Sequence, residues 1–226
     1  MKEGKNKSEK IKAPWPTKDA MVQIYEQKLW GSNGSEFYSG EGSHQKEITE
    51  PYTTTLIYFL RSFKKPLKIC DLGCGDFNIG KQLVAYAKKY FAIDIVPDLI
   101  AYNKRKFQIK NLEFLCLDIA KDNFPQGDCA ILRQVLQHLS NTQIQKIVPK
   151  LANFKYLIIT EHLPNGSFKP NKDIISGQGI RLKKQSGVNL LAAPFYLKVK
   201  EEKTLSTIVL KDGKGIIETK VYTLKL

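Results

Sequence analysis

The sequence predicts an α/β fold, a mostly parallel sheet with helices on both faces, and three observations lead there. From Pro66 onward, short apolar runs (LKICDLG, YFAIDIV, LEFLCLD, DCAILRQ, KYLIIT) are separated by helical patterns near 79–89, 97–106 and 141–151. Strands alternating with helices argue for parallel pairing. The first three of these runs each contain or end on an aspartate, and the first also leads into a pair of glycines. Finally, TLSTIVL and GIIETKVYTLKL flank Lys211-Asp-Gly-Lys214, an Asp-Gly turn signal that closes an antiparallel hairpin.

The segment before this core, residues 1–65, reads as a preface to a single domain whose core occupies 66–226. Its first dozen residues hold five lysines and no apolar period, so a mobile tail is expected. Residues 18–30 place Met21, Ile24, Tyr25 and Leu29 on one helical face. A Gly/Ser-rich loop follows, GSNGSEFYSGEGSHQ, and then a second helix over 47–63 with Tyr52, Leu56, Phe59, Leu60 and Phe63 spaced for burial. Within the core, Ser140-Asn-Thr-Gln143 has the spacing of a capping box.

The 226 residues and 25.7 kDa suit one domain. With 42% apolar and 26% charged residues, collagen-like, low-complexity and disordered classes are excluded. No apolar run approaches the roughly 18 residues of a membrane span, and the basic N-terminus lacks the apolar stretch of a secretory signal. A cytoplasmic protein is expected, without membrane partners. The net charge of +14 comes from 36 basic and 22 acidic residues, and the excess is heaviest over 164–226, with 12 basic against 5 acidic. Only four of the 36 are arginines. Readers of phosphate and base edges favour the guanidinium fork, so a nucleic-acid partner is possible but disfavoured. Cys70, Cys74, Cys116 and Cys129 lie in or beside apolar stretches without C-x-x-C spacing, and are expected to be free buried thiols.

Function concentrates in KICDLGCGDFNIG, residues 68–80. Glycines between a strand and a helix let the backbone turn sharply and approach a ligand. A dinucleotide fingerprint needs a third glycine where Asn78 stands, which argues against a nicotinamide enzyme. The next strand ends at Asp94, 19 residues after Gly75, where an acid can accept both hydroxyls of a ribose. The one after it ends at Asp118, suited to an exocyclic amine. All three acids fall along the edge at which open sheets bind ligands.

In these motifs the chain resembles the class I S-adenosylmethionine-dependent methyltransferases. The resemblance implies a Rossmann-like, doubly wound seven-stranded sheet of order 3-2-1-4-5-7-6, with S-adenosyl-L-methionine as cofactor and no metal. It implies that Asp71 and the backbone of Gly73, Cys74 and Gly75 hold the methionine moiety. Asp94 would hold the ribose with Ile95 packing on adenine, Asp118 and Ile119 would read the adenine edge, and Arg133 and Gln134 would line the methionine tail. The Gly/Ser loop resembles a segment that folds over the cofactor in some small bacterial members, and backbone amides from Gly40 to Ser43 would bind a carboxylate there as a nest.

Methyl transfer is an in-line displacement in which the protein aligns the acceptor and excludes water. A hydroxyl acceptor also needs a base, for which His138 and Glu161 are the first candidates and His162 and His44 the next. The acceptor is expected to be a small molecule or glycan, polar or sugar-like. Asn171, Asp173, Arg181 and Asn189 in the long stretch 164–196 are candidates to hydrogen-bond it. That stretch lacks the paired aromatics of a base-flipping clamp, and no N/D-P-P-Y/F motif is present. An RNA methyltransferase using the basic C-terminal third and a non-catalytic cofactor-fold protein are the alternatives.

Overall fold

The computed structural model describes residues 15–224, so the lysine-rich first dozen lie outside the described residues. Seven strands form one sheet: β1 (Leu67–Leu72), β2 (Ala87–Asp94), β3 (Leu112–Cys116), β4 (Cys129–Arg133), β5 (Tyr156–Leu163), β6 (Glu201–Val209) and β7 (Ile216–Thr223), in the order β3-β2-β1-β4-β5-β7-β6. The first five are parallel, while β7 runs antiparallel between β5 and β6. The predicted order and terminal hairpin are both observed. Between β1 and β4 the winding reverses, so loops leaving the two strands diverge to opposite faces and open a crevice.

Alternate residues of the central strands feed two cores. One face buries Leu72, Leu132 and Leu157 with Met21 and Ile24 of α1 (Thr17–Glu26) and Ile144, Ile147 and Leu151 of α5 (Asn141–Leu151). The other buries Ile69, Ile131 and Ile158 against Tyr52, Leu56 and Leu60 of α2 (Lys46–Arg61). The helix α4 spans Pro97–Lys106, with proline in its first turn and three basic residues in its last, in accord with the helix dipole.

Three local expectations change. The helix near 79–89 is only one turn of α3 (Gly80–Leu83) and a 3-10 turn to Tyr86. Pairing with β1 draws Ala87, Lys89 and Tyr90 into β2, and Tyr90 is fully buried there. The first helix stops at Glu26, which leaves Leu29 exposed in the turn beyond it. At Ser140 half of the capping box forms: its hydroxyl accepts the Gln143 amide at 3.4 Å. The Gln143 side chain does not return the bond but holds Thr17 of α1 and Ser176. Of the four free cysteines, Cys70 and Cys129 are buried as expected, Cys74 is half-buried, and Cys116 is exposed on the edge strand β3.

The stretch after β5 is irregular yet tightly pinned, by the residues the sequence offered for the acceptor. Asn171, at φ 58°, donates to the carbonyls of Asn189 and Ala193 (2.8 Å each) and accepts from the Asn189 amide (2.8 Å). Asp173 accepts the Asn141 amide at 2.7 Å. The Arg181 guanidinium is fully buried and donates to the carbonyls of Leu136 (3.1 Å), Gln137 (3.4 Å) and Leu139 (2.8 Å) and to Asn141 Oδ1 (2.8 Å). These side chains are consumed in holding their own loop and the turn after β4, a 3-10 helix over Leu136–His138. Because buried carbonyls lose charged donors, Arg181→Met should lower the free energy of unfolding by about 3 kcal/mol, read from urea melts.

Candidate active site

A cavity of about 500 Å³ opens along the carboxyl edge of β1, β2 and β4. Its floor is the loop after β1. Gly73 (φ 89°) and Gly75 (φ 56°) adopt left-handed conformations that favour glycine. The amides of Gly73 and Cys74 donate to the Ile93 carbonyl at 2.8 and 2.9 Å, and Gly75 donates to Asp94 Oδ2 at 3.1 Å. From α4, the buried Asn103 donates to the Gly75 carbonyl at 2.8 Å. A Cβ at Gly73 would stand 2.4 Å from Val135 Cγ2, and one at Gly75 2.4 Å from Ser39 Oγ. The side-chain-free faces thus receive neighbouring protein as closely as the sequence argument reserved for a ligand.

The acids occupy the positions the strand ends predict. Asp71 is buried on the wall and accepts the Tyr90 hydroxyl at 2.9 Å. Burial pushes its pKa up to about 7, against the pull of that bond and of Arg133. Asp94 accepts amides on both oxygens, from Gly75 and from Val96 (3.1 Å each), and burial raises its pKa while these amides oppose the rise. Each oxygen retains acceptor capacity toward the cavity. Asp118 accepts the Ala120 amide at 2.9 Å and faces Lys121 Nζ at 3.4 Å. Ile95 and Ile119 add apolar wall beside these two acids.

Across the cavity, Arg133 at the end of β4 lies over the Tyr52 ring, 4.8 Å to its centroid. It donates to the Gly42 carbonyl, to Ser43 Oγ (3.2 Å) and to Gln134 Oε1 (3.3 Å). It has no carboxylate within ion-pair distance among the described residues, and its Nε has no partner. Gln134 has φ 55° and turns the chain into the wall formed by Gln137, His138 and Leu139. Gly40, Gly42 and Ser43 close the opposite side, so Arg133 is held between the strand and the Gly/Ser segment.

His138 lies in the wall beside Trp30, with ring centroids 5.2 Å apart. The Gly177 carbonyl, 3.2 Å from Nδ1, can only accept, which makes Nδ1 the protonated nitrogen of the neutral ring. Nε2 then accepts from the Gln137 amide group at 3.2 Å. Burial pushes the pKa down to about 4, so the ring is neutral at pH 7. Glu161 does not line the cavity. It is buried behind the 136–138 turn, its carboxylate oxygens have no hydrogen-bond partner, and burial pushes its pKa up to about 8, with Arg181 pulling the other way. His162 donates to the Lys214 carbonyl at 2.6 Å in the hairpin, and His44 pairs with Asp76 at 2.6 Å. All the predicted cofactor residues, with His138, share one cavity; Glu161 and His162 stand outside it.

The sequence reading missed Asp76 and Asn103, and noted Asn78 only as a departure from the dinucleotide fingerprint. Asp76 and Asn78 belong to the glycine motif itself, so their position beside a ligand loop was the available signal. Asn103 reads as an ordinary residue of a polar helix and gives no signal at all. Tyr25 and Trp30 were assigned to the core or passed over, yet both line the cavity.

This sheet order and site define the class I, Rossmann-like methyltransferase architecture. The methyltransferase-domain family model matches residues 69–154. Over 92% of its length the chain superposes on all of the N-methyltransferase NodS from Bradyrhizobium japonicum WM9 solved with S-adenosyl-L-homocysteine (TM-score 0.67, 14% identity). It is 38% identical over 65 residues to a malonyl-[acyl-carrier protein] O-methyltransferase of Acetivibrio thermocellus, covering 28% of this chain and 23% of that one. With a probable ribosomal RNA small subunit methyltransferase A of Methanosarcina acetivorans it shares 28% identity over 89 residues, 39% of this chain and 31% of the other. The matches span less than a third of these curated relatives. The family match covers residues 69–154, and the fold of the chain is that of the class I S-adenosylmethionine-dependent methyltransferases. No helix among the described residues is long and apolar enough to cross a membrane.

The buried acids make stability depend on pH. Glu161 keeps its proton in the folded state up to about 8 but loses it near 4.5 when unfolded, so its stabilising contribution is lost as pH rises through that window. Asp71 acts in the same direction up to about 7. Glu161→Gln should therefore flatten the fall in melting temperature between about pH 5 and 8.5, by several degrees at the alkaline end. A thermal-melt series in matched buffers reads the difference between the two proteins.

Proposed function

We propose that this protein transfers a methyl group from S-adenosyl-L-methionine to a small polar or sugar-like acceptor, at a hydroxyl oxygen. The observation that carries the reading is the lining of the cavity, which among the described residues holds five carboxylates (Glu41, Asp71, Asp76, Asp94, Asp118), one arginine and no lysine, in a chain of net charge +14. Such a lining suits a cationic sulfonium and opposes a polyanion.

Bound there, S-adenosyl-L-methionine supplies an electrophilic methyl on sulfur. Asp94 would hold the ribose diol with the acceptor capacity its two amide bonds leave free. Asp118 and Ile119 would meet the adenine edge, and Ile95 would pack on the ring. Arg133, buried with no carboxylate partner, suits the methionine carboxylate, together with Gln134 and the Gly40–Ser43 backbone. Asp71 and the Gly73–Gly75 backbone take the amino end. For the acceptor, neutral His138 offers Nε2 as the proton-accepting atom once an acceptor hydroxyl displaces Gln137. Glu161, behind the turn, supports the wall from which His138 acts. The basic C-terminal third supports an RNA acceptor as the second reading, and the acid lining counts against it.

Isothermal titration with S-adenosyl-L-methionine and its demethylated product tests the cofactor, and labelled-methyl transfer into fractionated extracts tests the acceptor. Asp94→Ala should weaken cofactor binding roughly tenfold to a hundredfold, the cost of a lost charged hydrogen bond. Affinity within twofold of wild type would remove Asp94 from the site. With an acceptor in hand, His138→Ala should lower turnover at least about a hundredfold while cofactor affinity stays within a few-fold. Because the ring is neutral down to about 4, the wild-type rate should show no loss attributable to His138 between pH 8 and about 5.

A further inference from the structure

The Gly/Ser segment that closes one side of the cavity has no apolar anchor along its inner stretch. From Ser39 to Gln45 every residue is polar or glycine, and none is fully buried. What holds it, besides the Arg133 bonds to the Gly42 carbonyl and Ser43 Oγ, is a set of polar bonds converging on the glycine motif. Asp76, itself buried, accepts the Ser39 amide (3.0 Å) and His44 Nε2 (2.6 Å) on Oδ2, and the Asn78 amide (3.2 Å) on Oδ1. Its own amide donates to Ser39 Oγ at 2.8 Å, and that hydroxyl also meets the Tyr25 hydroxyl at 3.0 Å. Asn78 donates to the Ser43 carbonyl at 2.7 Å, and the Tyr38 ring stacks on His44 with centroids 4.4 Å apart.

We infer that Asp76 is a positioning residue that latches the segment 39–45 over the cavity through Ser39 and His44, and that the cofactor enters and leaves when this latch releases. Three features carry the inference. The latched backbone, Gly40 to Ser43, is itself cavity wall, so its displacement opens the site. Segments held by hydrogen bonds rather than apolar burial open at lower cost than packed core. Release hands the Asp76 carboxylate to water and leaves no acceptor orphaned in a core. Asn78, which takes the place of a dinucleotide fingerprint's third glycine, ties the same segment down from the adjacent turn.

The inference rests on the cofactor reading, and the test separates the two. Stopped-flow Trp fluorescence, with Trp30 in the cavity wall as reporter, measures association and dissociation of S-adenosyl-L-homocysteine. Hydrogen exchange over 39–45 is followed in the ligand-free protein. Asp76→Asn and His44→Ala should each raise the dissociation rate at least about tenfold and speed exchange in the segment, while His44→Gln, which keeps a donor toward Asp76, should stay near wild type. A merely structural Asp76 would lower the melting temperature and leave the dissociation rate unchanged. Dissociation within twofold of wild type in His44→Ala overturns the latch, whether or not Asp76→Asn folds. If the wild-type protein binds no S-adenosyl-L-homocysteine, the cofactor reading falls, and exchange decides the latch: faster in His44→Ala upholds it, unchanged overturns it.

Discussion

The site depends on two places where a side chain is sterically forbidden. Gly73 and Gly75 stand where Val135 and Ser39 press against the backbone, so the loop after β1 is wedged between the turn after β4 and the Gly/Ser segment. Everything else in the cavity takes its position from that wedge. Asp94 is oriented by the Gly75 amide, Asn103 secures the Gly75 carbonyl, and Asp76 lies one residue on with its carboxylate turned to Ser39 and His44. A methyl group at either glycine would do more than crowd a ligand. At Gly75 it would drive off Ser39 and with it one wall of the cavity.

Charge is sorted between surface and cavity. Thirty-two lysines give the chain its excess, yet none of those among the described residues lines the site, while five of its 22 acids do. Burial is tolerated because each acid facing the cavity is met by donors. Asp94 and Asp118 have backbone amides, and Asp71 has the Tyr90 hydroxyl. These donors oppose the upward push of burial on Asp71 and Asp94, while at Glu161 burial pushes the pKa up to about 8. The one cation lining the cavity among the described residues, Arg133, meets carbonyl, hydroxyl and amide oxygens and the Tyr52 face but no carboxylate.

The sheet was legible in the sequence because its signals are local and redundant: each strand is an apolar run, and each loop that matters leaves it with an aspartate or glycine. That the predicted cofactor residues line one cavity was legible for the same reason, since parallel strands bring their carboxyl ends to one edge whatever the packing above them. What stayed hidden was set by tertiary pairing. The helix after Gly80 ends early because Ala87 and Lys89 are recruited by β1, and no propensity in AYAKKY announces that. Asn171, Asp173, Asn189 and Arg181 look like ligand-binding groups in an irregular stretch. Only the fold reveals that a loop without regular structure must satisfy its own backbone, and that these side chains do it.

The two sides of the cavity consequently differ in mechanical character. The wall carrying Gln137 and His138 is a 3-10 turn whose carbonyls are held from behind by the buried Arg181, with Glu161 packed nearby. Moving it would strip a guanidinium of its partners inside the core, a large penalty that keeps the turn in place. The facing wall is a run of glycine and polar residues held by hydrogen bonds alone, from Asp76, Asn78 and Arg133. A reaction that needs aligned groups on one side and ligand exchange on the other is served by that asymmetry. His138 is fixed to within the play of the hydrogen bonds it shares with Gly177 and Gln137, while the segment over the glycine loop has only hydrogen bonds to hold it.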